Sequence, residues 1–367
     1  MRVGIVGCGT ISAAYLRNLT ASADVEVIAC ADQVLSRAQE RASEFGVPRA
    51  CDTESLLSDP EVELVVNLTV PTAHAEVTLA ALAAGKHVHS EKPLATNRDD
   101  GRRIIDAARS KKLTVTCAPD TFLGAGLQTC LWLVEQGEIG EPLAASAFML
   151  QAGPERWHPN PAVFYGPGAG PLLDMGPYYI TALICLLGPV RQVIGMSRTL
   201  HPEVTVTRGA MAGETIKVTA PTFVASVLEF EQGAQAVLVN SFGIAGHDLP
   251  HLQVYGSGAI LEVPDPNTFW GPVRVRPNGE DAPWHELPLR YRQTETRRDL
   301  RGVGLIEAVR AIRKGSQPRA SGELAFHVLD VMLSILESNE SGRRVTISST
   351  CGRPELLPID AGLVAAT

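Results

Sequence analysis

Three side chains in this chain of 367 residues could together move a proton: Lys92, Asp174 and Tyr178. A free tyrosine has a pKa of about 10 and is therefore a poor base near neutrality. An ammonium group close to the phenol would stabilise the tyrosinate and lower that pKa. Since hydride transfer from an alcohol carbon needs the hydroxyl proton removed, Tyr178 is the candidate acid/base, Lys92 its electrostatic helper and Asp174 an orienting carboxylate.

The sequence around these residues also has plainer interpretations. Lys92 follows a short strand-like run, where a lysine is often only a solvated charge. Pro177 is tolerated in the first turn of a helix, which puts Asp174 at a helix entrance, where a carboxylate is favoured. Tyr178 follows four residues later and can share a helix face with Asp174. A capping aspartate and a core tyrosine are the alternative to a catalytic pair.

A loop with aromatic and polar residues precedes that helix. Trp157 and His158 stand between prolines, and an aromatic ring beside polar groups suits stacking on a sugar face. We predict that both residues bind substrate, and His158 is a second acid/base candidate if Tyr178 faces away. The alternative is a proline-stiffened loop that packs on its own domain.

The first 32 residues supply the element that would bring a cofactor to these groups. An apolar, β-branched run breaks at Gly7 and Gly9, a helical pattern follows, and a second apolar run ends at Asp32. This order is the fingerprint of dinucleotide binding, with a pyrophosphate at the start of the helix. We predict cofactor contacts from Gly7, Gly9, Thr10 and Ile11. A glycine turn in any α/β protein is the alternative.

The acid after the second run bears on the choice of dinucleotide. Asp32 would accept hydrogen bonds from ribose hydroxyls and repel a 2′-phosphate, so the predicted cofactor is NAD(H). Arg37 lies nearby in sequence and keeps NADP(H) as the second candidate. Ser12 replaces the third glycine of the fingerprint and is small enough for close packing of helix on strand.

Strands alternate with helices over about the first 120 residues, which predicts a doubly wound parallel sheet. Ligands of such sheets bind at the carboxyl ends of the strands, where Gly7, Asp32, Thr69 and Lys92 would lie. Farther along, short strands with hairpin turns at 231–233 and 256–258 predict antiparallel pairing. The expected class is α/β, an N-terminal Rossmann doubly wound parallel sheet followed by an α+β domain with a mostly antiparallel open sheet.

The expected domains are 1–120, binding NAD(P), and 121–367, binding substrate, with C-terminal helices that could return to the first. The net charge of −8 and the lack of basic runs exclude nucleic acid and anionic membranes as expected partners. Seven cysteines without paired spacing and nine histidines predict neither disulfides nor a metal site. Because Val3 already belongs to the first predicted strand, we expect no signal peptide before it and therefore a cytoplasmic protein.

The glycine turn, the tripeptide Glu91-Lys92-Pro93 and the segment 168–178 together resemble the glucose-fructose oxidoreductase / inositol dehydrogenase (Gfo/Idh/MocA) family. The resemblance implies NAD(P)-dependent oxidation or reduction of a sugar or cyclitol carbon. It also implies an open sheet used for subunit contacts, hence a homodimer or homotetramer. Many members have histidine where this chain has Tyr178, while glucose-fructose oxidoreductase and dihydrodiol dehydrogenase-like members are similar in using tyrosine.

The resemblance also implies roles for individual residues. Lys92 would contact both cofactor and substrate, and Asp174 would orient the substrate. The cofactor would further be lined by four residues after the fourth and fifth strands: Thr69, Pro71, His74 and Glu91. Two other functions stay open, a redox-neutral NAD-dependent glycosidase or eliminase that works through a transient keto-sugar, and a nucleotide-sensing regulator without turnover.

Overall fold

The computed structural model describes residues 1–291, 299–359 and 362, which form two compact units. Unit 1 draws on Met1–Ala125, Tyr291–Leu329 and Pro354–Thr367, and unit 2 on Gly126–Arg290 and Asp330–Arg353. The predicted division into 1–120 and 121–367 stays a prediction.

Unit 1 is built on a sheet of six parallel strands, which forms because short β-branched runs alternate with amphipathic helices. Its strands and helices are β1 (Arg2–Val6), α1 (Ser12–Leu19), β2 (Glu26–Ala31), α2 (Leu35–Phe45), β3 (Arg49–Cys51), α3 (Thr53–Ser58), β4 (Leu64–Asn67), α4 (His74–Ala83), β5 (His87–Ser90), α5 (Arg98–Lys111) and β6 (Val115–Cys117). Short 3₁₀ turns lie at Pro71–Ala73 and Thr121–Leu123.

The strand order in this sheet is β3-β2-β1-β4-β5-β6. It reverses direction between β1 and β4, and such a switch point opens the crevice in which doubly wound folds bind ligands. The predicted Rossmann sheet is confirmed. Residues that follow β2, β1, β4 and β5 therefore share one edge of the sheet.

Unit 2 contains a nine-stranded sheet and a separate two-stranded ribbon. Its elements are α6 (Ala125–Glu135), β7 (Pro142–Leu150), α7 (Pro171–Leu187), β8 (Val190–Arg198), β9 (Glu203–Thr205), β10 (Thr215–Lys217), β11 (Phe223–Phe230), β12 (Gln235–Ser241), β13 (Leu252–Gly256), β14 (Ala259–Val263), β15 (Val273–Pro277) and β16 (His285–Leu287). Short 3₁₀ turns lie at Pro154–Arg156 and Pro161–Phe164.

The chain closes with α8 (Val303–Lys314), α9 (Gly322–Ser341) and β17 (Val345–Thr346). Leu305, Ile306 and Val309 of α8 belong to the same apolar core as β1 and α1 of unit 1. Asp120 accepts hydrogen bonds from the backbone N–H groups of Gly302 and Gly304, at 2.8 and 3.0 Å. These contacts make α8 part of unit 1.

The large sheet has the order β16-β15-β14-β13-β7-β12-β11-β8-β17, and every pair in it is antiparallel except β7 with β12. Both predicted hairpins are present, since β11 pairs with β12 and β13 with β14. The mostly antiparallel sheet is thus confirmed. Sequence reasoning missed five short strands, β9, β10, β15, β16 and β17. Four of them, all but β15, have only two or three residues, which is too few to show periodicity.

Helix α7 packs against β7, β11 and β12 on one face of this sheet. It begins at Pro171, directly after Gly170, whose φ of +99° suits glycine. Pro177 therefore lies inside the helix, and its predicted first-turn position was wrong. Asp174 is still in the first turn, because the helix starts earlier than expected.

The opposite face of the sheet carries exposed apolar side chains. Met196 is 77% exposed, and Ile194, Val227 and Val237 stand side by side on β8, β11 and β12. Strand alternation puts these residues on the face away from α7. Within the described residues, no helix combines the length and the apolar character needed to cross a membrane.

Candidate active site

The turn after β1 is shaped by two glycines with different surroundings. Gly7 has a φ of +99°, and a Cβ there would lie 2.6 Å from the backbone carbon and oxygen of Leu68. Gly9 has no heavy atom within 4 Å of such a Cβ, so open space lies beside it. The Ser12 hydroxyl donates to the Gly9 carbonyl at 2.6 Å. The turn thus packs against the Leu68 backbone at Gly7 and is open at Gly9.

Asp32 ends β2 beside that turn. One carboxylate oxygen accepts the backbone N–H of Cys8 at 2.8 Å, and the other accepts the N–H of Val34 at 2.8 Å. Arg37 is exposed on α2. Sequence reasoning overlooked Arg41, whose Nε donates to the Ser12 hydroxyl at 3.2 Å and so places a guanidinium at the start of α1. Its position about two turns into α2 offered no local signal.

The segment after β4 holds the next predicted cofactor residues. Thr69 is half-buried, and its hydroxyl donates to the Asn67 side chain at 2.6 Å, while Pro71 is exposed and opens a short 3₁₀ turn. His74 is only 1% exposed, and its two ring nitrogens lie 2.7 Å from the Pro93 carbonyl and 3.0 Å from the Thr69 carbonyl. Burial lowers the pKa of His74, and the two carbonyls oppose that shift. His74 thus joins the loop after β4 to the loop after β5.

Glu91 and Lys92 follow β5, and the Lys92–Pro93 peptide is cis. Glu91 is buried, and one of its carboxylate oxygens accepts the Tyr15 hydroxyl at 2.8 Å. The other oxygen accepts the Lys92 backbone N–H at 3.1 Å. Tyr15 is fully buried on α1, and burial followed by the charge of Glu91 raises its pKa well above the usual value. Tyr15 therefore connects the helix of the glycine turn to the lysine loop, which sequence reasoning missed.

In unit 2, Asp174 is half-buried in the first turn of α7, and its backbone N–H donates to the Gly170 carbonyl at 3.0 Å. Tyr178 is 7% exposed, one turn further along. The hydroxyl of the neighbouring Tyr179 lies 3.2 Å from both His251 and Asp265, and burial raises its pKa. Tyr179 is thus a structural tyrosine.

The loop before α7 presents the aromatic residues. Trp157 is 62% exposed, and its ring meets those of His158 at 5.4 Å and Phe164 at 6.2 Å between centroids. His158 Nδ1 accepts the backbone N–H of Asn160 at 3.1 Å. The Phe164 carbonyl accepts the Gly170 N–H at 3.0 Å, which joins this loop to the start of α7.

A buried pair holds the same loop together. The Tyr165 hydroxyl donates to the Glu155 carboxylate, and the Tyr165 carbonyl accepts the N–H groups of Thr219 and Ala220 at 2.9 and 3.0 Å. A Cβ on Gly153 would lie within 2.1 Å of the Tyr165 and Glu155 oxygens, so only glycine fits there. Sequence reasoning did not recognise this pair, because its members are ten residues apart in irregular structure.

The structure therefore gathers the predicted residues into two groups. In unit 1 the glycine turn, Asp32, Thr69 and Lys92 share the carboxyl edge of the parallel sheet. In unit 2 Asp174 and Tyr178 share the first two turns of α7, next to the loop of Trp157 and His158. Among the described residues, no group of three or more His, Cys, Asp or Glu side chains could hold a metal ion.

Two family models match this chain. The first, described as an oxidoreductase family with an NAD-binding Rossmann fold, matches residues 1–118. The second, the GFO/IDH/MocA C-terminal domain, matches residues 127–262.

Curated relatives match in part or over the whole length. Inositol 2-dehydrogenase of Salmonella typhimurium is 32% identical over 169 residues, 45% of this chain and 50% of that protein. The trans-1,2-dihydrobenzene-1,2-diol dehydrogenase of Mus musculus is 31% identical over 51% of this chain and 56% of its own length. The chain thus spans about half the length of these relatives. Myo-inositol 2-dehydrogenase of Thermotoga maritima is 26% identical over 96% of this chain and 100% of its own.

Solved structures share the fold. Levoglucosan dehydrogenase in complex with NADH and levoglucosan superposes with a TM-score of 0.80 at 20% identity, covering 95% of this chain and 100% of that one. An NAD-binding oxidoreductase from Klebsiella pneumoniae gives a TM-score of 0.79 at 22% identity, covering 95% and 99%. With the glycine turn, the lysine loop and α7 in place, and with both family models matched, the chain belongs to the Gfo/Idh/MocA oxidoreductase family.

Proposed function

We propose that this protein transfers hydride between NAD(H) and a hydroxyl-bearing carbon of a sugar or cyclitol. The observation that carries the proposal is the edge of the unit 1 sheet, where the glycine turn, Asp32 and Lys92 follow the parallel strands β1, β2 and β5. The names of the relatives, inositol and dihydrodiol dehydrogenases, support an alcohol carbon as the reacting centre.

The residues present fit a dinucleotide. Open space beside Gly9 admits a pyrophosphate next to the N–H groups of Thr10 and Ile11, at the positive end of α1. Asp32 keeps lone pairs for ribose hydroxyls, since each of its oxygens accepts only one backbone N–H. When bound, NAD supplies the carbon that accepts or donates the hydride.

Asp32 is proposed to select NAD(H) over NADP(H), and its replacement tests this. In Asp32→Ser we expect NADH affinity to fall and NADPH affinity to rise, each by about tenfold, because a charged hydrogen-bond acceptor and a repelling charge are removed together. Fluorescence titration with both reduced cofactors measures the ratio. Arg37→Ala, which removes the candidate cation for a 2′-phosphate, is measured alongside, and an unchanged ratio in Asp32→Ser would contradict the role of the carboxylate.

The proposed roles in the reaction follow from chemistry. As hydride leaves the substrate carbon with its electron pair, the hydroxyl proton moves to Tyr178, and the reverse reaction returns it. Lys92 stabilises the negative charge that develops on oxygen. Asp174, half-buried in the first turn of α7, orients a second hydroxyl. His158 is the alternative acid/base, with Nδ1 already accepting a backbone N–H.

The lysine loop is held on two sides, by Tyr15 through Glu91 and by His74 through Pro93. In Tyr15→Phe we expect kcat to fall about tenfold with NADH affinity nearly unchanged, because the buried carboxylate that fixes the Lys92 backbone loses a donor. The free energy of unfolding should fall by about 1–3 kcal/mol. Steady-state kinetics and thermal unfolding measure both.

Tyr291→Phe is the matched control for Tyr15→Phe. Tyr291 is also buried in unit 1, and its hydroxyl donates to the Leu357 carbonyl. We expect a similar loss of stability with unchanged kcat. Equal effects of the two variants on kcat would show that Tyr15 only stabilises the fold.

Trp157 is proposed as the stacking surface for a sugar ring, since most of the side chain is exposed while two neighbouring rings contact it.

The assay for the proposed reaction follows reduced-nicotinamide absorbance with NAD(H) and NADP(H) over pyranoses, inositols, glycosides and their keto forms. We expect turnover with at least one polyol, and loss of it in Tyr178→Phe with NADH binding retained. Normal turnover in that variant would exclude Tyr178 as acid/base.

Other outcomes of the assay favour the remaining functions. Conversion of a glycoside without net change in NADH would indicate redox-neutral glycosidase or eliminase chemistry. Tight NADH binding with no turnover of any substrate, and capture of a protein partner, would indicate a regulator.

We further propose a homodimer or homotetramer, formed through the exposed face of the large sheet, in a cytoplasmic protein. Apolar Ile194, Val227 and Val237 lie across one half, while Glu262, Arg274 and Glu286 pair on the other, so two copies turned by a two-fold axis could match. Met196 is 77% exposed in the single chain and would be buried in such an interface. We expect Met196→Lys to shift sedimentation toward monomer, because assembly would then bury a charge. A monomeric native protein would contradict this assembly.

A further inference from the structure

Asn240, on β12, is a buried asparagine whose side-chain amide has no hydrogen-bond partner among the described residues. Its side chain is 0% exposed, yet neither the amide oxygen nor the amide nitrogen has a hydrogen-bond partner among the described residues. Burying an unpaired amide is unfavourable, and folded proteins pair nearly all such groups. An orphaned amide of this kind calls for a ligand or a water molecule.

The alternation of β12 sets the direction of this side chain. Ala236, Leu238 and Asn240 are buried, while Val237 on the intervening face is 43% exposed. Since successive strand residues point to opposite faces, Asn240 points to the face that α7 covers. Its amide therefore lies between the sheet and the helix of Asp174 and Tyr178.

The position along the strand puts Asn240 near the start of α7. Gly170, which precedes the helix, lies so close to Pro221 that a Cβ would come within 2.6 Å of the Pro221 oxygen. Thr222 next to it accepts the N–H of Phe242 at 3.0 Å, so the helix starts at the end of the sheet where β12 finishes. The other end of α7 leads to Val190, which pairs with Phe230 at the far end of the sheet.

The distances along both elements agree. Phe242 lies two residues beyond Asn240, about 7 Å at the rise of a strand. Asp174 lies four residues beyond Gly170, about 6 Å at the rise of a helix. Measured along its own element, each residue is thus within about 7 Å of the end of the sheet where α7 begins.

The loop that carries Trp157 reaches the same place. Phe242, two residues beyond Asn240, contacts the rings of Phe164 and Tyr165 at 6.4 Å between centroids. Phe164 in turn contacts Trp157, and its carbonyl oxygen accepts the Gly170 N–H. The end of β12, the aromatic loop and the first turn of α7 therefore form one connected region of unit 2.

From this placement we propose that Asn240 recognises the substrate, with its amide hydrogen-bonded to two adjacent hydroxyls of a polyol. The inference rests on the function proposed above and narrows its substrate to a vicinal diol. An amide offers a carbonyl acceptor and an N–H donor side by side, and two neighbouring hydroxyls can donate to one and accept from the other. In a dry environment this pairing discriminates strongly, because a substrate without the hydroxyls leaves the amide unpaired.

The test replaces Asn240 with the similarly sized leucine and measures kinetics, NADH affinity and thermal unfolding. We expect Asn240→Leu to raise KM for the polyol at least about 100-fold. NADH affinity should stay unchanged and Tm should be equal or higher, because an unpaired buried amide is removed. A structural role, with water as the partner, predicts the opposite, a lower Tm with an unchanged KM, and that result would overturn the inference.

A matched control and a deoxy substrate complete the test. Asn18 is a buried asparagine in unit 1 whose amide donates to the carbonyls of Asp299 and Arg301 at 3.2 and 2.8 Å, so Asn18→Leu should lower Tm and leave KM alone. With wild type, a substrate lacking one of the two hydroxyls should bind more weakly than the full substrate. With Asn240→Leu, the two substrates should bind equally weakly. Equal preference for the full substrate in both proteins would refute recognition by Asn240.

Failure of this inference differs from failure of the proposed function. If wild type oxidises a polyol, Lys92→Ala does not, and Asn240→Leu keeps the wild-type KM, only the role of Asn240 is wrong. If wild type turns over no polyol or keto-sugar in the panel, the proposed function is wrong and the role of Asn240 is rejected with it.

Discussion

Lys92→Ala is expected to lower kcat by about 10³-fold while NADH affinity stays within about threefold of wild type. The half-buried side chain follows β5, and its loop is fixed by contacts of Glu91 and Pro93 that alanine leaves in place. The variant should therefore keep the loop after β5 in place and lose the ammonium group. Steady-state kinetics with the best substrate of the panel, together with NADH fluorescence, measure the two quantities.

The pH profile of the same variant separates electrostatic help from simple damage. If Lys92 holds down the pKa of the catalytic acid/base, the residual activity of Lys92→Ala should rise toward higher pH, as an unassisted tyrosine with a pKa of about 10 becomes ionised. Lys111→Ala removes an exposed lysine from the end of α5 and should behave as wild type. Wild-type kcat in Lys92→Ala would remove the lysine from the mechanism.

Gly7→Ala is expected to lower the free energy of unfolding by roughly 2 kcal/mol or more and to abolish measurable NADH binding at ordinary concentrations. The φ of +99° is unfavourable for alanine, and its Cβ would lie 2.6 Å from the Leu68 backbone, so the turn must shift. The shift would move the N–H groups that are proposed to meet the pyrophosphate. Chemical unfolding and fluorescence titration measure both effects.

Gly9→Ala provides the matched comparison two residues away. A Cβ on Gly9 meets no atom of the protein within 4 Å, so stability should change little. The methyl group would nevertheless fill the space into which the pyrophosphate fits, and NADH affinity should fall at least about tenfold, or about 1.4 kcal/mol. Unchanged NADH affinity in Gly9→Ala would show that the cofactor binds elsewhere.

Much of unit 1 was predictable because its signals are local. The glycines, the run that ends at Asp32 and the alternation of strands with helices all appear within short windows of sequence. Parallel strands joined by right-handed crossovers then leave few arrangements, and the order β3-β2-β1-β4-β5-β6 is the usual one. Similarly, the hairpin turns at 231–233 and 256–258 correctly predicted the antiparallel pairs β11 with β12 and β13 with β14 in unit 2. The family resemblance likewise rested on short motifs.

Contacts between distant residues had no such signal. The hydrogen bond from Tyr15 to Glu91 joins positions 76 residues apart, and the two carbonyls beside His74 belong to different loops. Pro177 suggested that the helix begins near it. The helix in fact begins at Pro171, because Gly170 with its positive φ ends the preceding loop and proline suits the first helical position.

The sequence by itself determined the types of groups available and the elements that carry them: the glycine turn, the acid after β2, the lysine after β5 and the carboxylate and tyrosine on α7. Only the tertiary structure decided which buried groups find partners. Tyr179 is hydrogen-bonded to Asp265 and Glu91 to Tyr15, while Asn240 is buried with no partner for its amide in the described part of the chain. The physical reason is that hydrogen-bond satisfaction depends on packing between elements far apart in the chain, which residue type and periodicity do not encode.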